Sequence, residues 1–217
     1  KIMKILLFGD TGSLGKKFKS LFIKENINFN SVNRKKIKNR FSLSSLNSII
    51  KKNKPELIIN CIALTGLIYC QNRKKMAYKV NTQIPYTILK AIKNTNIKFI
   101  HFSTDAVFKG KIKNKIYSER DKPRPSSIYG KSKYKADKKV LQSKNTLLVR
   151  LPLLFGPTHK KQIVSKLLKS VSKGHRTYVA DDVYSTPIYT PDLCRFILDN
   201  CVKKEKIFEK NLIHLTG

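Results

Sequence analysis

Acidic side chains are scarce in this sequence. Against 46 lysines and arginines stand 13 aspartates and glutamates, a formal net charge of +33 over 217 residues. Arginine is scarce as well, since 38 of the 46 cations are lysine, and the cations run along the whole sequence instead of gathering. A surface that reads nucleic acid concentrates arginine and aromatic residues in one patch. The charge therefore argues against specific nucleic-acid recognition and leaves a weak, salt-sensitive attraction to polyanions. Abundant Lys, Asn and Ile together match the residue usage of an AT-rich coding sequence. No apolar run approaches the roughly 18 residues of a membrane span, and Lys1-Ile2-Met3-Lys4 leads into only the short apolar stretch Ile5 to Phe8. Neither a span nor a secretory leader is expected. The four cysteines, 61, 70, 194 and 201, form no Cys-x-x-Cys, and the four histidines, 101, 159, 175 and 214, stand far apart. That spacing argues against a metal site and for a reduced, cytoplasmic protein. Cys194 and Cys201, seven residues apart, share a helix face and read as core.

Glycine is sparse too, yet three of the nine glycines fall within seven residues, Gly9-Asp10-Thr11-Gly12-Ser13-Leu14-Gly15. They follow the apolar run Ile5-Leu6-Leu7-Phe8, which reads as a buried parallel strand. They precede a stretch with Leu14, Phe18, Leu21 and Phe22 at helical spacing. Strand, glycine turn and helix are what a dinucleotide loop requires: the glycines admit a pyrophosphate to the backbone, and the helix N-terminus receives its charge. A second strand is expected over Ile27 to Asn33. At its end, where an acid would hold the ribose hydroxyls of NAD, stand Asn33 and Arg34, and a guanidinium there suits the 2'-phosphate of NADP.

Further along, Leu46, Ile49 and Ile50 predict a helix ended by Pro55, and Leu57 to Ala63 a third strand. A polar loop then leads to a helix from about Met76 to Asn94 that contains Asn81 and is kinked or broken by Pro85. Ile97 to Ser103 predicts a fourth strand delivering Ser103-Thr104-Asp105 at its carboxyl end, where open parallel sheets place their chemistry. Residues 109–125 read as a surface excursion. Ser126 or Ser127 then caps a helix that runs to about Lys144 and carries Tyr129 and Lys133. Four residues apart, a phenol and an ammonium share one helix face. A lysine cation favours the phenolate, which would bring the tyrosine closer to acid–base work at neutral pH, and the Thr104 hydroxyl could bond the same carbonyl oxygen. Leu147 to Leu151 predicts a strand, Gln162 to Ser172 a helix, Thr177 to Ala180 a short strand, Pro191 to Val202 a helix and Leu212 to Leu215 a last strand. Repeated strand–helix units give an α/β fold, a Rossmann-type doubly wound parallel sheet. We expect it over 1–152, with 153–217 a small, shortened substrate lobe interleaved with the sheet.

In this order the motifs resemble those of the extended short-chain dehydrogenase/reductases. The runs His101-Phe102-Ser103-Thr104-Asp105-Ala106-Val107-Phe108-Lys109-Gly110, Tyr117 to Pro125 and Tyr129-Gly130-Lys131-Ser132-Lys133 narrow the resemblance to the dTDP-4-dehydrorhamnose reductase branch. Asn60 to Thr65, Asn81 and Arg150 also stand where that family has strand-end and helix residues. The resemblance implies that Gly12, Ser13 and Leu14 hold the pyrophosphate, with Gly9, Thr11 and Gly15 also among the cofactor-binding residues, that Asn33, Arg34, Arg40 and Phe41 surround the adenosine, and that Ala63, Leu64 and Thr65 line the dinucleotide, Tyr129 and Lys133 binding the cofactor too. It implies Tyr129 as proton donor, Lys133 on the nicotinamide ribose, and Thr104 with Asp105 at the sugar, Leu153 standing where an aromatic sugar contact is usual. Reduction of a nucleotide-linked 4-keto-6-deoxy sugar follows, with NADP(H) preferred and NAD(H) as the other cofactor. Ala106 replaces both the usual Tyr of the rhamnose enzymes and the Glu that 4,6-dehydratases need. A C4 epimerase and a noncatalytic NADP-binding regulatory subunit stay open as alternatives. So does the oligomeric state, a homodimer included.

Overall fold

The computed structural model describes residues 3–32, 41–110, 116–157, 163–178, 184–204 and 206–217. Six strands form one parallel sheet: β1 (Ile5–Phe8), β2 (Phe29–Val32), β3 (Leu57–Asn60), β4 (Lys98–Thr104), β5 (Thr146–Leu151) and, last in the chain, β8 (Leu212–His214). Their order is β2-β1-β3-β4-β5-β8. The winding reverses between β1 and β3, and in such sheets the crevice beyond the strand carboxyl ends at that reversal receives the ligand.

Strict alternation explains the two layers. Ile5, Leu7, Leu57, Ile59, Ile100, Phe102, Leu147 and Val149 point to one core, and Leu6, Phe8, Ile58, Phe99 and Leu148 to the other. A strand covered on both faces must be apolar at every position, and β1, β3 and β5 are buried throughout. The first core is roofed by α1 (Ser13–Lys24) and α8 (Thr190–Ile197), which pack against each other. Over the second lie α2 (Leu43–Asn53), α3 (Leu67–Asn72), α4 (Lys74–Tyr78), α5 (Ile84–Ile92) and α6 (Ile128–Leu141). No helix among the described residues is long and apolar enough to cross a membrane.

The stretch around Pro85 departs from a simple kink. Pro85 lacks an N–H and lies in the first turn of α5, so the ladder is reset one turn earlier by a π-helical segment, Lys79–Gln83, closed by Ile84 N–H to the Lys79 carbonyl. The stretch read as a polar loop before it is largely helical, α3 and α4. The third strand ends at Asn60 rather than Ala63, freeing 61–66 as an irregular loop. The strand expected from Thr177 is not formed: Thr177 and Tyr178 lie outside regular structure, and Val179 and Ala180 outside the described residues. A two-stranded parallel ribbon takes its place, β6 (Leu154–Phe155) with β7 (Ile188–Tyr189), beyond α7 (Ile163–Val171) in the case of β7.

Candidate active site

The glycine loop closes tightly on itself. Gly12 N–H donates to the Gly9 carbonyl at 3.1 Å, and a Cβ on Gly15 would stand 2.1 Å from that same oxygen. Only glycine lets the first turn of α1 settle so closely on the end of β1. Gly12 occupies the N-cap of α1 with no side-chain cap, so the helix presents backbone donors and its positive dipole end to the crevice. This is a cradle of the shape and charge a pyrophosphate needs. Thr11 and Gly12 are exposed and Ser13 and Leu14 half-buried; across the crevice Ala63 and Thr65 are exposed, Leu64 buried. Phe41 is half-buried, its ring 6.4 Å from Phe8. Asn33, Arg34 and Arg40 lie outside the described residues. Asp10 is the carboxylate nearest this end of the sheet in sequence, with Oδ2 accepting from the Ser31 hydroxyl of β2 at 2.9 Å.

The loop after β3 is held from behind by a residue of the π-helical turn. Asn81, fully buried, accepts from Leu64 N–H at 2.8 Å and donates to the Leu64 carbonyl and the Ser132 hydroxyl, both at 3.0 Å. Thr82 adds a bond to the Ser132 carbonyl at 2.7 Å. One widened turn thus ties the 61–66 loop to the helix that carries the tyrosine.

That helix starts as its sequence dictates. Ser127 caps α6, its hydroxyl accepting from Gly130 N–H at 3.0 Å. Gly130 allows close docking: a Cβ there would meet the Ala106 carbonyl at 2.1 Å. The start of α6 is thereby pressed against the end of β4, where the Thr104 side chain lies beside the Tyr129 phenol. The Thr104 hydroxyl also donates to Asp105 at 3.0 Å and accepts from Ala106 N–H at 3.2 Å. Burial pushes the Tyr129 phenol up to about 12, opposed by the neighbouring Thr104 side chain and aided by the charge of Asp105. The expected lowering by lysine is therefore not what this arrangement gives. Lys133, 1% exposed, turns its ammonium nitrogen to the Phe102 carbonyl and to His101 Nε2 at 3.2 Å. Burial depresses it to about 8. A neutral phenol beside a hydroxyl, at the carboxyl end of a central strand, can donate a proton to an oxygen anion forming in the crevice.

The sequence model of the RmlD substrate binding domain matches residues 3–217. The chain belongs to this family. Among relatives with RmlD-type sequence, the spore coat polysaccharide biosynthesis protein SpsK of Bacillus subtilis is 30% identical over 147 residues, 66% of this chain and 50% of that protein. Methionine adenosyltransferase 2 subunit beta of Danio rerio is 28% identical over 155 residues, 70% of this chain and 47% of that one. The chain thus spans about half the length of these relatives. The crystal structure of a dTDP-4-dehydrorhamnose reductase from Clostridium acetobutylicum is similar over 99% of this chain and 74% of that one, with a TM-score of 0.85 and 28% identity.

Within this fold Thr104 lies beside Tyr129, whereas the Lys133 nitrogen turns to His101 and the Phe102 carbonyl of β4. Asp105 is exposed at the crevice, with its carboxyl raised by desolvation. Leu153 is half-buried and immediately precedes β6, its carbonyl accepting from Ile188 N–H at 2.9 Å. Among the described residues, no group of three or more His, Cys, Asp or Glu side chains is placed to hold a metal ion. Gly130, Asn60 and His101 were absent from the site expected from sequence. The last two had a signal: Asn60 ends the apolar run Leu57 to Ile59 and His101 interrupts Phe99 to Phe102, and they are paired in register.

Proposed function

We propose that this chain is the cofactor- and sugar-binding core of an NAD(P)H-dependent reductase of a nucleotide-linked 4-keto-6-deoxy sugar, in deoxysugar or surface polysaccharide biosynthesis in the cytoplasm. The placing of Thr104 beside the Tyr129 phenol carries the reading, set beside a glycine cradle in a chain of the RmlD family. A dinucleotide, when bound, supplies the hydride. The uncapped start of α1 and the backbone of Gly12, Ser13 and Leu14 would hold its pyrophosphate, with Ala63 to Thr65 along its length. Thr104 and Asp105 would orient the keto sugar, and Tyr129, protonated at any physiological pH, would donate to the sugar oxygen as negative charge develops there. Residues 153–217 would provide the sugar side of the crevice, with Leu153 near the substrate. NADP(H) is the preferred cofactor on the strength of Arg34 and Arg40. The ratio of the KM values for NADPH and NADH is the measure of that preference.

The test is consumption of NADPH with a panel of nucleotide 4-keto sugars, followed at the reduced nicotinamide band. Tyr129→Phe is expected to lower kcat by about 10² to 10⁴ while leaving NADPH affinity within about threefold. Undiminished turnover in that variant removes Tyr129 from the mechanism. A noncatalytic cofactor-binding subunit is the second reading, favoured by the likeness to methionine adenosyltransferase 2 subunit beta. Tight NADPH binding with no turnover on any sugar in the panel would select it.

A further inference from the structure

His214 closes the last strand of the sheet, and its ring stands between two groups that can each play only one hydrogen-bonding part. Nδ1 lies 3.3 Å from the Tyr117 carbonyl, which only accepts. Nε2 lies 3.3 Å from Arg150 Nη1, which only donates. Nδ1 therefore carries the ring proton, Nε2 offers its lone pair, and the imidazole is neutral. Each partner leads to a different element. Arg150, in register with His214 on β5, is 4% exposed and bonds its Nε to Asp137 of α6 at 3.3 Å. Tyr117 opens the 117–125 segment, which is tied to the same histidine a second time: the backbone N–H of His214 donates to Glu119 Oε1 at 2.7 Å. The Tyr117 ring stacks on Phe108 at 4.4 Å, and Phe108 in turn lies 5.3 Å from the Arg150 guanidinium.

We propose that His214 is a positioning residue for the tyrosine-bearing helix: as the neutral, Nδ1-protonated ring it latches the 117–125 segment to Arg150, and a proton taken up on Nε2 undoes the latch. That proton would aim an N–H at the guanidinium, setting two cationic nitrogens 3.3 Å apart and depriving a buried donor of its acceptor. The ring must then turn away from Arg150, and in turning it gives up the Tyr117 carbonyl as well.

The groups facing the ring divide between the two states. Burial comes first and holds the ring below its ordinary 6.5; Glu119 and Asp121 of the segment favour the imidazolium, and Arg150 of β5 opposes it. Asp137 of α6 stands behind Arg150, and Lys210, from the turn before β8, acts on Glu119. The His214 amide holds the Glu119 carboxyl below the usual range, so Glu119 keeps its charge while the ring titrates. The segment ends on Pro125, which packs against Gly130 just beyond the Ser127 cap. Releasing it loosens the start of α6 and with it the seat of Tyr129. That consequence rests on the reductase reading; the latch itself does not.

The experiment is NMR of the ¹⁵N-labelled full chain from pH 5 to 8. There are four histidines, and His214 is assigned as the ring signal missing from His214→Gln. Long-range ¹⁵N–¹H couplings tell the tautomers apart, and a neutral ring protonated on Nδ1 is expected at pH 7.5. Hydrogen-exchange protection of the residue 214 amide reports the latch, because its acceptor belongs to the segment. Opening restores the ring's ordinary 6.5, so below that pH protection should fall by up to about tenfold per unit, until the lowered midpoint of the latched form is reached. In His214→Gln the side-chain carbonyl accepts from Arg150 and cannot titrate, and protection should change less than about twofold over the same range. An Nε2-protonated ring or an imidazolium at pH 7.5 in the wild-type protein would overturn the proposal, whether or not the variant folds. So would a pH dependence of protection that survives in His214→Gln. In turnover assays kcat should fall along an acid limb that follows the ring, with KM for NADPH little altered, and the variant should lose that limb; a limb that persists removes His214 from the positioning of Tyr129. Absence of turnover on every sugar would count against the reductase reading while the NMR result still decides the latch.

Discussion

Gly130 touches the Ala106 carbonyl so closely that a methyl group in its place must displace either the start of α6 or the end of β4. Gly130→Ala is expected to destabilise the fold by about 1–3 kcal/mol, the usual range for overpacking, and to reduce turnover further than stability alone would, because the phenol and the Thr104 hydroxyl separate. Urea denaturation beside kcat measured well below the unfolding transition distinguishes the two effects. His101 and Lys133 also give stability a pH dependence of definite sign. His101 is held well below its ordinary 6.5 in the fold. As pH falls through about 6.5 the unfolded chain therefore takes up a proton that the native one refuses, and stability drops by up to about 1.4 kcal/mol per unit. Lys133 sits near 8 in the fold against 10.5 in the unfolded chain. Between those values the unfolded state again holds more protons, so stability rises with pH on the alkaline side. Urea midpoints should climb up to about pH 6.5, flatten, then climb again above about 8 from this pair, and His101→Gln should flatten the acidic slope.

Elements were legible where a repeating pattern set them. The apolar runs of β1, β3 and β5 and the glycine turn into α1 could be read directly, because a strand covered on both faces tolerates few other residues. The widened turn at Lys79–Gln83 could not. Pro85 signalled an interruption, but whether the helix bends, breaks or gains a residue depends on what Asn81 has to reach, and Leu64 is 17 positions away. The chemistry of the site was legible in the same uneven way. Tyr129, Lys133 and Thr104 were visible from spacing and strand position. The direction in which Lys133 points was not, since it is set by Phe102 and His101 across the layer, a contact with no sequence period. Asn81→Ala tests the clamp: it strips the Leu64 N–H of its acceptor and leaves the Leu64 carbonyl only the Cys70 thiol at 3.4 Å, should cost about 1–3 kcal/mol, and should speed hydrogen exchange of the Leu64 amide more than that of amides in β4.

At the scale of the molecule, the fold sorts charges that look evenly spread along the sequence. There is no Asp or Glu in residues 26–55 or 57–104, and Asp137, buried, is the sole acid in residues 122–180. The helices α2 to α6 come from these stretches, so their shared layer presents lysine and no exposed carboxylate. Lys90 and Lys139 lie over Tyr86, Lys138 over Tyr134 and Lys135 over Tyr78. The opposite layer holds Glu25, paired with Arg195 at 2.8 Å, and Asp199, paired with Lys203 at 2.9 Å. The protein should bind a sulfonated resin strongly at low ionic strength and release steeply as salt rises, as counterion-driven attachment does. Lys→Glu changes at 135, 138 and 139 should lower the eluting salt more than three such changes on α1.

A one-sided distribution of this kind makes the protein an electric dipole pointing across its sheet. On any negatively charged plane it would lie down on the lysine-clad helices, with the carboxyl ends of its strands opening sideways, parallel to that plane. A substrate diffusing in solution could then enter the crevice of an adsorbed molecule as freely as that of a dissolved one.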